Sequence, residues 1–185
     1  GLGYDPTVGY IPMSLQYGTY TADGAHVRRH SIAHDEGEDR SYYGKTAEII
    51  NATDLDSVTY GKKCADVAAQ SGKKLPVITM VHALKPMVFS EVEPLSDAIL
   101  VGYGVSDKAY FDILMGNFEP QGLLPMQQPK DMDAVEAQQE DVPRDMTCYT
   151  DSEGHTYDFA YGLNWKGVIQ DARTAKYGVP ALHVK

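Results

Sequence analysis

Between His34 and Arg40 the chain reads His-Asp-Glu-Gly-Glu-Asp-Arg, so the carboxyl groups of Glu36, Glu38 and Asp39 are crowded directly ahead of a guanidinium. Carboxyl groups in such a cluster can do general acid/base work, because a neighbouring charge decides which of them stays protonated; Arg40 can hold one of them ionised. Gly37 permits an unusual backbone turn in their midst. The plainer reading competes strongly, since alternating acids beside an arginine are more often a solvated surface network.

Other reactive constellations are weaker. His26, His30 and His34 recur at every fourth position, which on a helix would align them as metal ligands. Gly24 and the lack of apolar periodicity argue against that helix, so surface histidines are expected and no metal. Cys64 and Cys148 are too few to define a disulfide framework and read as free thiols, neither with signs of local activation. Gly102-Tyr103-Gly104 follows a strand pattern, but Asp107 stands at the third glycine position of a dinucleotide turn and would oppose a pyrophosphate. The Gly-x-Ser-x-Gly elbow of serine hydrolases is absent. Tyr4, Tyr10, Tyr17, Tyr20, Tyr42 and Tyr43 present flat apolar faces with polar tips, suited to ring stacking or to packing a loop onto a partner.

The elements that must position these groups fall unevenly along the chain. Residues 1–44 are dense in Gly, Tyr, His, Asp and Arg with almost no periodicity, which predicts a long loop region. Residues 54–70 predict a helix capped by Thr53 or Asp54 and ended by Ser71-Gly72, with Gly61 as its weak point. Pro76 to Val81 are nearly all apolar and predict a strand covered on both faces. Ala98 to Val101 predict a second buried strand, followed by a helix that Ser106 caps and Gly116 stops. A short surface helix is expected over 134–140, and a turn at 151–154 flanked by Cys148–Thr150 and Tyr157–Tyr161.

With 185 residues, 43% of them hydrophobic, the chain can bury one core. A formal charge of −10 disfavours nucleic acid, because phosphate binding needs a basic stripe and Arg28-Arg29 and Lys62-Lys63 are short. No apolar run approaches a membrane span, so no membrane partner is expected. Two secure strands are few for a parallel sheet with helices on both faces, and the chain, which begins at Gly1, is expected to be part of a larger protein.

The stretch from Asp97 to Pro129, DAILVGYGVSDKAYFDILMGNFEPQGLLPMQQP, resembles the closing segment of the C-terminal sandwich domain in glycoside hydrolase family 3. KLPVITMVHALKPMVFSEVEP from Lys74 and YDFAYGLNW from Tyr157 resemble flanking parts of that domain, and SYYGKTAEIINATDLDSV and QYGTYTA resemble its Bacteroidetes-type β-glucosidase branch. Gln121 departs from the small residue usual at that place.

The resemblance implies an α/β fold, part of an (α/β)6 sandwich with a mostly parallel sheet, over residues 45–185. Residues 1–44 would then face a catalytic barrel that lies outside this chain and bears the nucleophilic aspartate. It further implies an exo-acting retaining β-glucosidase acting on β-glucosides or oligosaccharides, without a cofactor, in the periplasm or outside the cell. In that setting Glu36, Glu38 or Asp39 would be the general acid/base, and Arg40 and Tyr42 would bind sugar; the chain alone would be inactive. The alternative is a non-catalytic carbohydrate-binding or assembly module of the same fold.

Overall fold

The computed structural model describes residues 2–7, 9–27, 41–47, 52–139 and 142–178. The chain opens with an antiparallel hairpin of β1 (Leu2–Asp5) and β2 (Gly9–Pro12), in which Tyr4 pairs with Tyr10 and the two rings meet edge to face. A second antiparallel pair joins β3 (Tyr20–Thr21) to β4 (Thr46–Ala47). The loop region expected over 1–44 therefore carries strand structure, which four-residue and two-residue strands are too short to betray through alternation.

Helix α1 (Ala52–Gln70) covers the predicted 54–70 helix and runs through Gly61, but starts earlier, so Thr53 and Asp54 lie within its first turn rather than capping it. It ends as its sequence dictates: Gly72 takes φ +72°, the Lys73 amide reaches the Ala68 carbonyl and the Gly72 amide reaches Ala69, which satisfies carbonyls left open by the last turn. Strand β5 (Ile78–His82) follows, then two short 3-10 turns at Phe89–Glu91 and Glu93–Leu95, then strand β6 (Ala98–Gly102), which pairs with β5 in parallel. Pro76 falls outside β5, as its missing N–H requires. Helix α2 (Asp107–Leu114) starts at Ser106, whose backbone is extended but whose hydroxyl makes no capping bond. Its end repeats that of α1, with Gly116 at φ +73° and the Asn117 amide on the Asp112 carbonyl.

The 83–97 connection between β5 and β6 supplies four of the seven buried residues of one apolar cluster. Ala83, Met87, Phe89 and Val92 pack with Val81, Tyr17 and Tyr149, and the half-buried Leu55, Ile99, Val101, Tyr103 and Tyr157 close around them. Strand β5 alternates as a strand must. Val81 turns inward, while Ile78 and Met80 on the other face are 40% and 45% exposed. The expectation of a strand covered on both faces is thus not met: among the described residues β5 has one neighbour, and this parallel sheet has two strands. The fold is mixed α/β, with a small parallel sheet and short antiparallel pairs.

Helix α3 (Met132–Ala137) is capped by Asp131, whose side chain accepts from the Ala134 amide at 2.8 Å. It was expected as a surface helix, yet Met132 and Glu136 are both buried, because positions four apart share a face and that face is packed. The last third is built on paired backbone. The Leu124 amide donates to the Tyr161 carbonyl and the Leu124 carbonyl accepts from the Ala160 amide, and the predicted turn at 151–154 forms between bridged Thr150 and Thr156. A small antiparallel pair, β7 (Leu163–Asn164) with β8 (Gly167–Val168), and helix α4 (Ala172–Tyr177) complete the described chain.

Candidate functional site

Glu36, Glu38, Asp39 and Arg40 lie outside the described residues, and so do His30 and His34. What the structure describes is the chain on either side of them, up to Val27 and from Ser41 onward. Both sides meet the same helix.

On the upstream side Tyr20, Ala22 and Val27 are buried in a second apolar cluster with Met132 of α3, and the half-buried Val135 packs against it. On the downstream side Tyr42 and Ala47 enter the same cluster. The polar group at its centre is Glu136, only 5% exposed, whose Oε2 accepts from the Tyr42 hydroxyl at 2.5 Å and whose Oε1 accepts from the Tyr20 hydroxyl at 3.2 Å. A buried carboxylate is costly unless donors satisfy its oxygens, and two phenols coming from opposite sides do so here. Burial, and then the Glu136 charge, push the Tyr20 hydroxyl well above the usual tyrosine range, so it stays a donor. One turn earlier, Asp133 holds His26 Nδ1 between its two oxygens at 3.0 and 3.1 Å. That pair is about half exposed and ties the upstream side to α3 more loosely.

Tyr42, read from sequence as a sugar-binding ring, packs inward with 5% of its surface exposed. Tyr17 and Tyr20 are likewise buried, against this chain's own residues, whereas Tyr4 and Tyr43 remain open to solvent. His26 sits in a turn rather than on a helix, and among the described residues no three His, Cys, Asp or Glu side chains are grouped to hold a metal. No described helix is long and apolar enough to cross a membrane.

A second carboxylate secures the approach to this region. Glu91 accepts from the Tyr17 amide at 2.5 Å and from the Gly18 amide at 3.0 Å, fixing the bend that leads into Tyr20. Beside it, Glu93 accepts from the Tyr149 and Ser152 hydroxyls at 2.8 and 2.9 Å. Around Tyr149 the rings of Tyr157, Tyr161 and His155 form a ladder, with Tyr157 and Tyr161 stacked at 5.3 Å and Tyr161 and His155 at 5.7 Å. These groups bind one another. Cys148 in particular is held as an inert thiol, pushed up to about 11 by burial and then by Asp158.

Glu136 and Asp133 were missed by sequence reasoning. Their signal was present, since Met132, Val135 and Glu136 place an acid on the apolar stripe of a short helix, but an acid there is ordinarily a boundary residue.

Comparison with known proteins gives one family match, described as "Glycosyl hydrolase family 3 C-terminal domain", over residues 22–165. Among curated proteins, Beta-glucosidase C of Emericella nidulans is 36% identical over 92 residues, which is 50% of this chain and 14% of that protein. Probable beta-glucosidase C of Aspergillus oryzae is 33% identical over 91 residues, 49% of this chain and 13% of its own length. Periplasmic beta-glucosidase/beta-xylosidase of Dickeya chrysanthemi is 30% identical over 94 residues, 51% of this chain and 14% of its own length. The matched part is thus about one seventh of each relative. No solved structure matches the chain.

Proposed function

The chain belongs to the glycosyl hydrolase family 3 C-terminal domain family, and from that membership we propose that it is the C-terminal segment of an exo-acting retaining β-glucosidase. The observation that carries the reading is that the family match spans the acidic segment at 36–39 while the chain on both sides of that segment is bound to one helix. Retaining hydrolysis needs two carboxyl groups about 5 Å apart, one attacking the anomeric carbon and one protonating the leaving oxygen. In this reading an N-terminal barrel segment supplies the nucleophile. Glu36, Glu38 or Asp39 supplies the proton and later takes one back from water, and Arg40 holds a sugar hydroxyl. Tyr42 is the second substrate-binding residue of this reading.

The exposed Ile78 and Met80 support a larger, mostly parallel sheet of the (α/β)6 type, in which a helix of the domain covers the outer face of β5. The N-terminal region through 44 faces the barrel in this arrangement, and 45–185 belong to the sandwich. No cofactor takes part. The relative named as periplasmic supports a periplasmic or secreted location.

The test is to replace Glu36 and Glu38 with Gln and Asp39 with Asn, one at a time, in the complete enzyme. One position is expected to lose about 10²-fold or more in kcat/KM on a β-glucoside with a poor leaving group, and to recover on one with a good leaving group. Normal rates at all three positions would leave a non-catalytic carbohydrate-binding or assembly module.

A further inference from the structure

We infer that the cleft where α1, the 73–75 link and the second 3-10 turn meet is a binding site for a small aliphatic carboxylate, with Lys73 and Lys74 holding its anionic end. The inference goes beyond the glycosidase reading and stands whether or not that reading holds.

The cleft encloses about 190 Å³ and opens at the edge where β5 and β6 begin, the opposite end of these parallel strands from Gly102. Ala65 and Ala69 lie four apart on α1 and share a face there. Their methyl groups leave a trough that a longer side chain would fill. Leu75, Pro94 and Leu95 complete its apolar lining, and Leu75 is 51% exposed although it is aliphatic.

The polar groups around this trough divide into those already engaged and those left over. Lys62 is paired with Asp66 one turn along the helix, and Asp97 accepts from the Val77 amide at 2.7 Å. Ser96 Oγ donates to the Val92 carbonyl at 2.8 Å and lies 2.6 Å from the Thr79 hydroxyl. Lys73 and Lys74 also line the cleft, and among the described residues neither ammonium is in an ion pair. They are not needed to close α1, because the Ala68 and Ala69 carbonyls already accept from the amides of Ser71, Gly72 and Lys73. In a chain of formal charge −10, two adjacent uncommitted cations at an apolar trough are an exception, and together they suit an anion with an apolar body.

Size and charge geometry narrow that anion. A volume of about 190 Å³ falls below the roughly 300–1,000 Å³ of pockets that take drug-sized ligands, which excludes a nucleotide or an oligosaccharide. Ammonium groups on flexible stems act as point charges and suit one compact anionic group, whereas a fork-shaped contact would call for arginine. Inorganic phosphate would meet the charges but leave the trough empty. A carboxylate with a short alkyl chain meets both, since each CH₂ that enters the trough leaves water.

The test uses the complete enzyme at constant ionic strength. Dissociation constants for hexanoate and hexan-1-ol are measured by ligand-observed NMR, with inorganic phosphate as competitor. Hexanoate is expected to bind saturably, about tenfold more tightly than the alcohol, and phosphate to displace it only weakly. Lys73→Gln combined with Lys74→Gln should lower hexanoate to the affinity of the alcohol and leave the alcohol unchanged. Lys166→Gln combined with Lys176→Gln removes the same charge elsewhere and should alter neither ligand. All four lysines are exposed, so both double variants should unfold at the temperature of the parent. The inference is overturned by an absence of saturable hexanoate binding, by unchanged affinity in the Lys73 and Lys74 variant, or by equal losses in the two double variants. Phosphate competing as well as a second carboxylate would also overturn it, by reducing the pair to an unselective cationic patch.

Discussion

Tyr110 occupies the space that a side chain on Gly102 would need. A Cβ at 102 would stand 2.1 Å from the Tyr110 oxygen and 2.5 Å from Val105 Cγ2, while the Tyr110 hydroxyl donates to the Val81 carbonyl at 2.9 Å. The last residue of β6 is therefore bare so that α2 can lock onto the end of β5. Two residues later, Gly104 meets nothing within 4 Å but has φ +73°. The two glycines of this turn serve different needs, one for room and one for backbone conformation. Gly104→Ala should cost about 1–2 kcal/mol from left-handed strain alone. Gly102→Ala should cost more, since neither the buried ring nor the following loop can retreat by an ångström without repacking. Chemical denaturation of the two variants checks the order, and a Gly102→Ala variant as stable as Gly104→Ala would show that Tyr110 moves freely.

The cysteines should differ sharply in reactivity. Cys64 is exposed on α1, whereas Cys148 is half-buried, bonded by the Gln127 amide at 3.2 Å and raised from 9.0 to about 11, by burial first and by Asp158 next. At pH 8 a thiol with a value near 11 is ionised to roughly one part in a thousand, and the thiolate is the reacting form. Brief treatment with iodoacetamide should label Cys64 and spare Cys148, and Cys64→Ser should remove nearly all labelling. Equal modification in a peptide map would contradict the placement of Cys148.

Alkali should unfold the chain through its buried phenols. Tyr17 is raised from 10.0 to about 12, chiefly by burial and further by Asp54 and Glu91, and Tyr161 rises to about 12 by burial and then by Asp151 and Glu153. A group whose folded value is raised prefers its neutral form when folded. Its contribution is complete below pH 10 and is lost as pH climbs through 10 towards 12, because the unfolded chain releases the proton sooner. Stability measured by denaturant should therefore fall across that window. Tyr17→Phe should flatten the fall, and an unchanged slope would assign the alkaline loss to other groups.

The acid at 136 marks the limit of what spacing alone reveals. Helices α1 and α2 were legible because their signals are local: a glycine in left-handed conformation at 72 and at 116 and apolar residues at helical spacing between. The parallel strands were legible as apolar runs, but not the open face of β5, since exposure at Ile78 and Met80 depends on what lies beside the sheet rather than on the run itself. The partners of Glu136 are 94 and 116 residues distant, and no local pattern announces a contact of that range. The acidic segment was conspicuous by composition, yet the helix that holds both of its sides looked like an ordinary surface helix.

Gln128 offers the sharpest test of how the core is joined. It is 1% exposed, its Oε1 accepts from the Met87 amide at 2.8 Å, and its Nε2 donates to the Tyr103 hydroxyl at 3.2 Å. Its own backbone bonds Tyr157 on one side and Tyr149 on the other, so four segments meet at this residue. Gln128→Met preserves length and apolar packing but strands the Met87 N–H in a buried site, a loss of about 1–3 kcal/mol. Tyr103→Phe removes the longer of the two side-chain bonds and leaves an amide that can seek water from a half-buried position, so it should cost about 1 kcal/mol or less. The comparison isolates the backbone bond: if the two variants unfold at the same denaturant concentration, the Met87 amide finds another acceptor, and if Gln128→Met is clearly the weaker, this side chain joins Glu93 in holding the crossover between β5 and β6 to the last third of the chain.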